Sequence, residues 1–127
     1  AMTDSEVTTV GLSEEADDLL DQLKELEIFA EKLDGYRFAI SFAVASGVLP
    51  TEIGKRKTLF NVGSLDPGQL SRTSIEAVYP DEIASVSVYR VAERLADWGV
   101  RELHALASTG QLDFVKILES VEDATPQ

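Results

Sequence analysis

Residues 36–48 read YRFAISFAVASGV, the densest run of apolar residues in the chain. On a helical wheel only a narrow polar stripe remains, beginning with Arg37, so a helix here is expected to be mostly buried. Gly47 and Pro50 mark its end, because glycine often terminates helices and the residue before a proline avoids the helical conformation. We therefore predict a buried central helix over residues 36–48, with Asp34 as its N-terminal cap.

An amphipathic helix is predicted before the central one. Ser13 is a suitable N-cap, and Glu14 and Glu15 follow it in the first turn, where the helix dipole favours negative charge. The polar side, which includes Asp17 and Asp18, is expected to face solvent. The apolar side chains recur every three or four residues, at Leu12, Ala16, Leu19, Leu20, Leu23 and Leu26.

A longer amphipathic helix is predicted over residues 87–107. Its polar side carries Arg90, Arg94, Asp97, Arg101 and His104, and its apolar side carries Val88, Val91, Ala92, Leu95, Gly99, Leu103 and Leu106. Gly99 costs about 1 kcal/mol of helix propensity relative to alanine. Either a close helix crossing at Gly99 or a break between two shorter helices would explain the glycine.

The remaining elements are shorter. A helix is predicted from Asp66 to about Val78, a final helix over residues 113–121, and β-prone stretches near residues 7–10 and 58–62. The fold class is therefore mainly α, a compact bundle of four to five helices around the buried central helix, with at most a small two-stranded β element. We expect a single domain over residues 1–127, with an ordered core at about 7–121 and flexible termini.

Composition excludes several classes of function. The 127 residues include no cysteine, so disulfides, thiolate metal sites and cysteine nucleophiles are excluded. No apolar run approaches the roughly 18 residues of a membrane span, and no segment has the pattern of a signal peptide. These features favour a cytoplasmic protein that does not contact a membrane.

The net charge of −12 is unevenly distributed. Residues 1–35 hold eleven acids and two bases, and residues 80–127 hold nine acids and four bases, whereas residues 36–79 hold three acids and five bases. An acidic surface repels nucleic acid, whose binding depends on the neutralisation of phosphates by Lys and Arg. Nucleic-acid binding is therefore disfavoured except through the middle segment.

No constellation of catalytic residues is apparent. His104 is the only histidine and lies on the polar side of its helix, where an ordinary surface role is expected. The carboxylates lack the spacing of a calcium loop, the glycines lack that of a phosphate-binding loop, and the serines lack a nucleophile-elbow context. We expect no enzymatic activity, no cofactor and no metal.

One candidate binding site remains, the basic run Lys55, Arg56 and Lys57 that follows Gly54. With Arg37 and Arg72 nearby, these cations would hold phosphates or an acidic partner. Three adjacent bases are also common in solvated surface loops. The run would equally well face the acidic first helix, either within the chain or across a homodimer.

The first 48 residues resemble ribbon-helix-helix DNA-binding proteins in the order of their elements. The sequence VTTVGL at residues 7–12 is followed by an amphipathic helix, a short connection and an apolar helix. Those proteins contact DNA through basic or polar strand residues, whereas acidic residues flank the strand here. This resemblance implies a DNA-binding protein. The alternative function that we consider is a nucleic-acid-binding regulator, which would use the local basic residues Arg37, Lys55, Arg56, Lys57 and Arg72.

A second resemblance extends from about residue 34 to residue 118. YRFAISFAVASG at 36–47, GKRKTLF at 54–60 and AERLADWGVREL at 92–103 resemble the small accessory proteins associated with Dnd, the bacterial DNA phosphorothioation and restriction systems. The chain departs from that group in Trp98 and in the acidity of its first helix. The resemblance implies a non-enzymatic accessory module that binds a protein partner in a DNA-modification or defence system.

Overall fold

The computed structural model describes residues 7–110. Within them the predicted mainly α fold with a small two-stranded β element is confirmed, whereas the helix predicted over residues 113–121 and both termini lie outside the described residues. The elements in chain order are β1 (Thr9–Leu12), α1 (Glu14–Glu25), α2 (Lys32–Ser46), β2 (Lys57–Asn61), α3 (Val62–Leu65), α4 (Leu70–Val78), α5 (Pro80–Ile83) and α6 (Val88–Ser108).

The two strands pair antiparallel. Thr9 lies opposite Asn61 and Leu12 lies opposite Lys57, with an irregularity in the register after Val10. Gly11 is required at this irregularity, because a Cβ atom there would lie 2.0 Å from the carbonyl oxygen of Lys57. The strand predicted near residues 58–62 is present as β2, which begins and ends one residue earlier than predicted.

Helix α6 is the most extensively buried element. Twelve of its 21 residues are buried, and it contacts α1, α2, α4, α5 and β1. Helix α2, which was predicted to be the central helix, buries one side and leaves Phe38 and Phe42 partly exposed. The residues on its buried side include Tyr36, Ala39, Ile40, Ala43 and Val44. The bundle is thus organised around the contact between α2 and α6, with α6 in the middle.

Gly99 lies at this contact. A Cβ atom at Gly99 would be 2.3 Å from the backbone oxygen of Ala39, which is far inside van der Waals contact. Helix α6 continues through Gly99 without a break. Of the two explanations that the sequence allowed, the close helix crossing is therefore the observed one.

Helix α2 is also tied to the strands through Tyr36. Its hydroxyl donates a hydrogen bond to the carbonyl oxygen of Gly11 at 2.8 Å, and its ring meets Phe60 edge-on at 5.4 Å between centroids. Burial, together with the negative charges of Glu93 and Asp97, raises the pKa of Tyr36 well above its ordinary value of 10.0. The hydroxyl therefore remains a protonated donor.

The helix ends follow the predictions in part. Ser13 caps α1, since its Oγ accepts the N–H of Ala16 at 3.2 Å, and Gly47 ends α2 in the left-handed conformation, with φ of 68°. Helix α2, however, begins at Lys32, before the predicted cap Asp34. Asp34 therefore lies in the first turn of α2, where a negative charge interacts favourably with the helix dipole.

Helix α4 begins later than predicted. A turn at residues 67–68 and a left-handed Gln69, with φ of 56°, separate Asp66 from the helix start at Leu70. The Asp66 carboxylate nevertheless accepts the N–H groups of Ser71 and Arg72, each at 3.0 Å. Asp66 therefore caps the helix from four residues away, and the sequence identified the capping residue but not the boundary.

The crossing at Gly99 generates a stability prediction. We expect Gly99→Ala to lower the free energy of unfolding by about 1 to 3 kcal/mol, because forced overpacking outweighs the gain in helix propensity. Urea denaturation with an unchanged m value measures this loss. Gly63→Ala is the control, since nothing lies within 4 Å of a Cβ there. Equal stabilities of the two variants would contradict a close crossing.

Candidate functional site

The basic run follows α2 and leads into β2. Arg56 Nη1 donates to Glu93 Oε2 at 2.8 Å, and Lys57 Nζ lies 3.1 Å from Asp17 Oδ2. Lys55 is exposed and has no ion pair with any residue from 7 to 110. Two of the three charges are therefore neutralised within the chain, one of them by the acidic α1 as the sequence allowed. The run lines an open depression of about 520 Å³ together with Glu14 and Asp18.

The other two predicted site residues serve other elements. Arg37 Nε donates to the carbonyl oxygen of Leu65 at 2.8 Å, and its Nη1 lies 3.7 Å from Asp34. The Arg72 guanidinium lies over the Tyr89 ring at 5.9 Å and 3.6 Å from Glu76. Arg37 lines the groove between α2 and α4, and the loop cations line the depression beside α1.

The sequence analysis missed a set of buried charges. Asp17, Asp66, Glu93 and Asp97 are all buried, and so is Arg94. Asp17 was expected on the solvated side of its helix, and this expectation is wrong: only 2% of the residue is exposed. The reason lies in the tertiary structure, because Lys32 and Lys57 from two other segments cover it.

Glu93 joins three parts of the chain. Its Oε2 accepts the N–H of Gly11 at 2.8 Å and also Arg56, while its Oε1 accepts Arg90 Nη1 at 2.8 Å. A buried carboxylate is tolerated when its oxygens are hydrogen-bonded and its charge is compensated. Glu93 meets both conditions, and it thereby fixes β1 and the basic run against α6.

Asp97 repeats this arrangement one turn later. Its Oδ2 accepts both the N–H and the hydroxyl of Ser13, at 2.9 and 2.7 Å, and its Oδ1 accepts Arg101 Nε at 2.8 Å. The hydrogen bond and charge of Asp97 raise the pKa of Arg101. In the sequence, the only indication of this arrangement is that Glu93 and Asp97 lie four residues apart on one helix. That spacing does not reveal which residues bind them.

Asp17 is the centre of a smaller ion-pair cluster. Its Oδ1 lies 2.5 Å from Lys32 Nζ, which is also 2.9 Å from Asp21. Burial raises the pKa of the Asp17 carboxyl, but Lys32 and Lys57 outweigh this effect and leave the pKa below 3.8. Oxygens of Asp17, Asp18 and Asp21 lie within 4.8 Å of one another, and the Lys32 ammonium already supplies the cation that bridges two of them.

An open groove of about 410 Å³ separates α2 from α4. Its apolar lining residues are Ile40, Val44, Leu65, Pro67 and Leu70, and its polar ones are Arg37, Ser41, Asp66, Ser71 and Ser74. Asp66 accepts the hydroxyl of Tyr89 at 3.0 Å, and burial together with Asp66 raises the pKa of Tyr89 to about 12. At the rim Leu70 is 60% exposed.

His104 lies at the surface of α6. Its Nε2 is 2.7 Å from Gln22 Oε1, and its Nδ1 is 3.4 Å from Ser108 Oγ. The two groups beside its ring nitrogens are therefore the amide of Gln22 on α1 and the hydroxyl of Ser108 on α6. The expectation that His104 has no acid–base role remains a prediction.

No protein family matches this sequence, and neither a curated protein nor a solved structure is significantly similar to the chain. Among residues 7–110, no helix has both the length and the apolar character that crossing a bilayer requires.

The Glu93 cluster generates a second prediction. We expect Glu93→Gln to cost about 2 to 4 kcal/mol of unfolding free energy, because it leaves Arg56 and Arg90 without their charge partner. Glu102→Gln is the control, since Glu102 is exposed on the same helix and should change stability by less than about 0.5 kcal/mol. Denaturation of both variants gives the comparison, and a cost below about 0.5 kcal/mol for Glu93→Gln would refute the structural role.

The Asp17 cluster predicts a pH dependence. Because the folded pKa is lowered below 3.8, the stabilisation is present above that pH and is lost as the pH falls through the folded value. Asp17→Asn should therefore be less stable than the original protein at about pH 7, and this difference should shrink at about pH 3. Chemical denaturation at both pH values measures it. A difference independent of pH would show that the charge of Asp17 contributes nothing.

Proposed function

We propose that the protein is a small non-enzymatic interaction module, whose groove between α2 and α4 binds a helical segment of a basic partner protein. The observation that carries the proposal is the open apolar groove with Leu70 exposed at its rim. A single exposed leucine is ordinary, but an open apolar groove rimmed by polar residues is typical of a surface that a partner covers.

The two walls of the groove are helices that run side by side in the same direction. At one end Arg37 of α2 donates to the carbonyl of Leu65, before α4 begins. At the other end the Tyr79 hydroxyl, just after α4, donates to the carbonyl of Val48, just after α2. A channel between two aligned helices fits the apolar side of a third helix, which would insert side chains at three- and four-residue spacing.

Charge supports a basic partner. The net charge is −12, and the exposed side of α1 presents Glu14, Glu15, Asp18 and Glu25. Such a surface attracts a cationic protein at long range and speeds its association. The apolar groove would then supply most of the binding free energy, while the acidic surface selects the class of partner.

The buried charges support a non-enzymatic role. Both oxygens of Glu93 and Asp97 accept hydrogen bonds from the chain itself, and Asp66 accepts two helix N–H groups and a tyrosine hydroxyl. A general acid or base must instead reach a reacting atom. These carboxylates are occupied in holding the fold together.

The resemblance to Dnd accessory proteins suggests the setting of this interaction. We propose that the partner belongs to a DNA-modification or defence system in the cytoplasm, and that the chain acts on it through protein contacts. A homodimer receives less support, because Arg56 and Lys57 are paired within the chain and only Lys55 of the basic run is left to attract the acidic α1 of a second copy.

The alternative of a nucleic-acid-binding regulator receives less support. It depends on Arg37, Lys55, Arg56, Lys57 and Arg72, and all of these except Lys55 interact with acceptors or acids of the same chain. Phosphates would have to displace carboxylates such as Glu93 and Asp17 from them. The exposed acids Glu14 and Asp18 also adjoin the basic run.

The groove is tested by comparing two exposed leucines. Leu70 is 60% exposed and lines the groove, whereas Leu26 is 62% exposed at the end of α1 and does not. The partner is first identified from the native host by affinity purification and mass spectrometry, and its purified form is then titrated by calorimetry. We expect Leu70→Asp to weaken binding at least about 30-fold, as hot-spot leucines cost 2 kcal/mol or more, and Leu26→Asp to leave it unchanged.

Two results would overturn the proposal. One is equal binding of the partner by the two leucine variants. The other is DNA binding at low salt that falls steeply with added salt and is abolished by the triple change Lys55→Glu, Arg56→Glu and Lys57→Glu. The second result would establish the regulator instead.

A further inference from the structure

A second cavity lies between α6 and the connection that follows α2. Its volume is about 350 Å³, within the range of small-ligand sites. Segment 50–55 forms one wall and α6 forms the other. Its lining includes Pro50, Glu52, Ile53, Lys55, Arg94 and Trp98. We refer to it as the Trp98 cleft.

Several polar groups of the Trp98 cleft are already committed to the fold. Asp97 accepts hydrogen bonds on both oxygens. Arg101 donates from Nε to Asp97 and from Nη2 to Ser13, and its Nη1 lies 3.0 Å from Glu15. These groups shape the floor of the cleft, and their charges compensate one another within the chain.

The uncommitted groups are mainly hydrogen-bond donors. Arg94 is buried and donates Nε to the carbonyl of Pro50 and Nη1 to Glu82, each at 2.7 Å, which leaves Nη2 without a partner among residues 7–110. Lys55 Nζ and the indole N–H of Trp98 likewise have no acceptor in that part of the chain. Glu52 also lines the cleft and, like Lys55, is exposed at the surface, so its carboxylate competes with an anionic ligand for Lys55.

The cleft also has an apolar side. Trp98 is partly exposed, and one face of its ring stacks on Phe42 with centroids 5.8 Å apart and an angle of 27°. Pro50 and Ile53 line the opposite wall. A flat ring between the indole and this wall would gain aromatic contact and apolar burial.

We propose that the Trp98 cleft binds a small organic anion, a planar ring that bears a carboxylate or phosphate group. Lys55 supplies the positive charge for the anionic group, and Arg94, whose charge is shared with Glu82, offers the N–H groups of Nη2. Charge-assisted donors of this kind favour an anionic acceptor. The ring lies against Trp98. This site is separate from the groove that carries the proposed function, and it is tested on the purified protein alone.

Trp98 is the only tryptophan, so its fluorescence reports directly on the cleft. The probes are phenyl phosphate, benzoate and inorganic phosphate, with calorimetry as a second readout. We expect phenyl phosphate or benzoate to give saturable binding with a Kd below about 1 mM, and inorganic phosphate to bind at least about tenfold more weakly. The stronger of the two ring probes identifies the anionic group.

Two variants of equal charge provide the control. Lys55→Gln should weaken binding of the better ring probe about tenfold, because it removes one cation from the anion. Lys24→Gln should leave it unchanged, since Lys24 lies on the exposed side of α1 and does not line the cleft. Both lysines are exposed, so both variants are expected to fold.

The proposal is overturned by absence of saturable binding of all three probes up to about 10 mM, or by equal affinities of the Lys55→Gln and Lys24→Gln variants. Tighter binding of inorganic phosphate than of either ring probe would also overturn it, because the ring would then contribute nothing.

Discussion

The fold depends on the burial of two carboxylates on α6. Glu93 and Asp97 lie one turn apart on the helix that contacts most other elements, and burying them unpaired would be strongly unfavourable. Their partners are the backbone of Gly11, the cap residue Ser13 and the arginines at positions 56, 90 and 101. This requirement determines where β1 ends, where α1 begins and where the basic run lies. The apolar core drives collapse, and these ion pairs connect β1, α1 and the basic run to α6.

The same constraint changes the meaning of the charge pattern. Residues 36–79 stand out in the sequence as the only segment with a positive balance, which suggests a surface for an anionic partner. In the folded chain Arg56 and Lys57 neutralise Glu93 and Asp17, so most of that positive charge compensates acids from α1 and α6. Within residues 7–110 an acidic α1, an apolar groove and Lys55, which has no ion pair in that part of the chain, remain exposed. The two binding proposals use these surfaces, a basic protein at the groove and a small anion at the Trp98 cleft.

Much of the fold and little of the candidate site could be predicted from the sequence. Ser13 as a cap and Gly47 as a helix end depend only on local geometry, and both are observed. The site depends on residues brought together from distant segments. Arg37 and Lys55 were grouped because both are basic and near in sequence, yet they line different cavities. Trp98 was noted only as a departure from a family pattern, since a helical wheel does not show that segment 50–55 folds over it.

The sequence by itself determined α1, α2 and α6 with their apolar sides, the capping residue of α4 and the presence of a small β element, because periodicity and capping act over a few residues. It did not predict the short helices α3 and α5. The sequence also indicated that Gly99 needs a structural explanation, because glycine inside a helix is less favourable than alanine. Only the tertiary structure decided that this reason is a crossing against Ala39, that α6 rather than α2 lies in the middle, and that Asp17 is buried. The physical reason is that ion pairing and close packing depend on which segments meet. Lys32 and Lys57 make the burial of Asp17 favourable from positions that no local pattern connects to it.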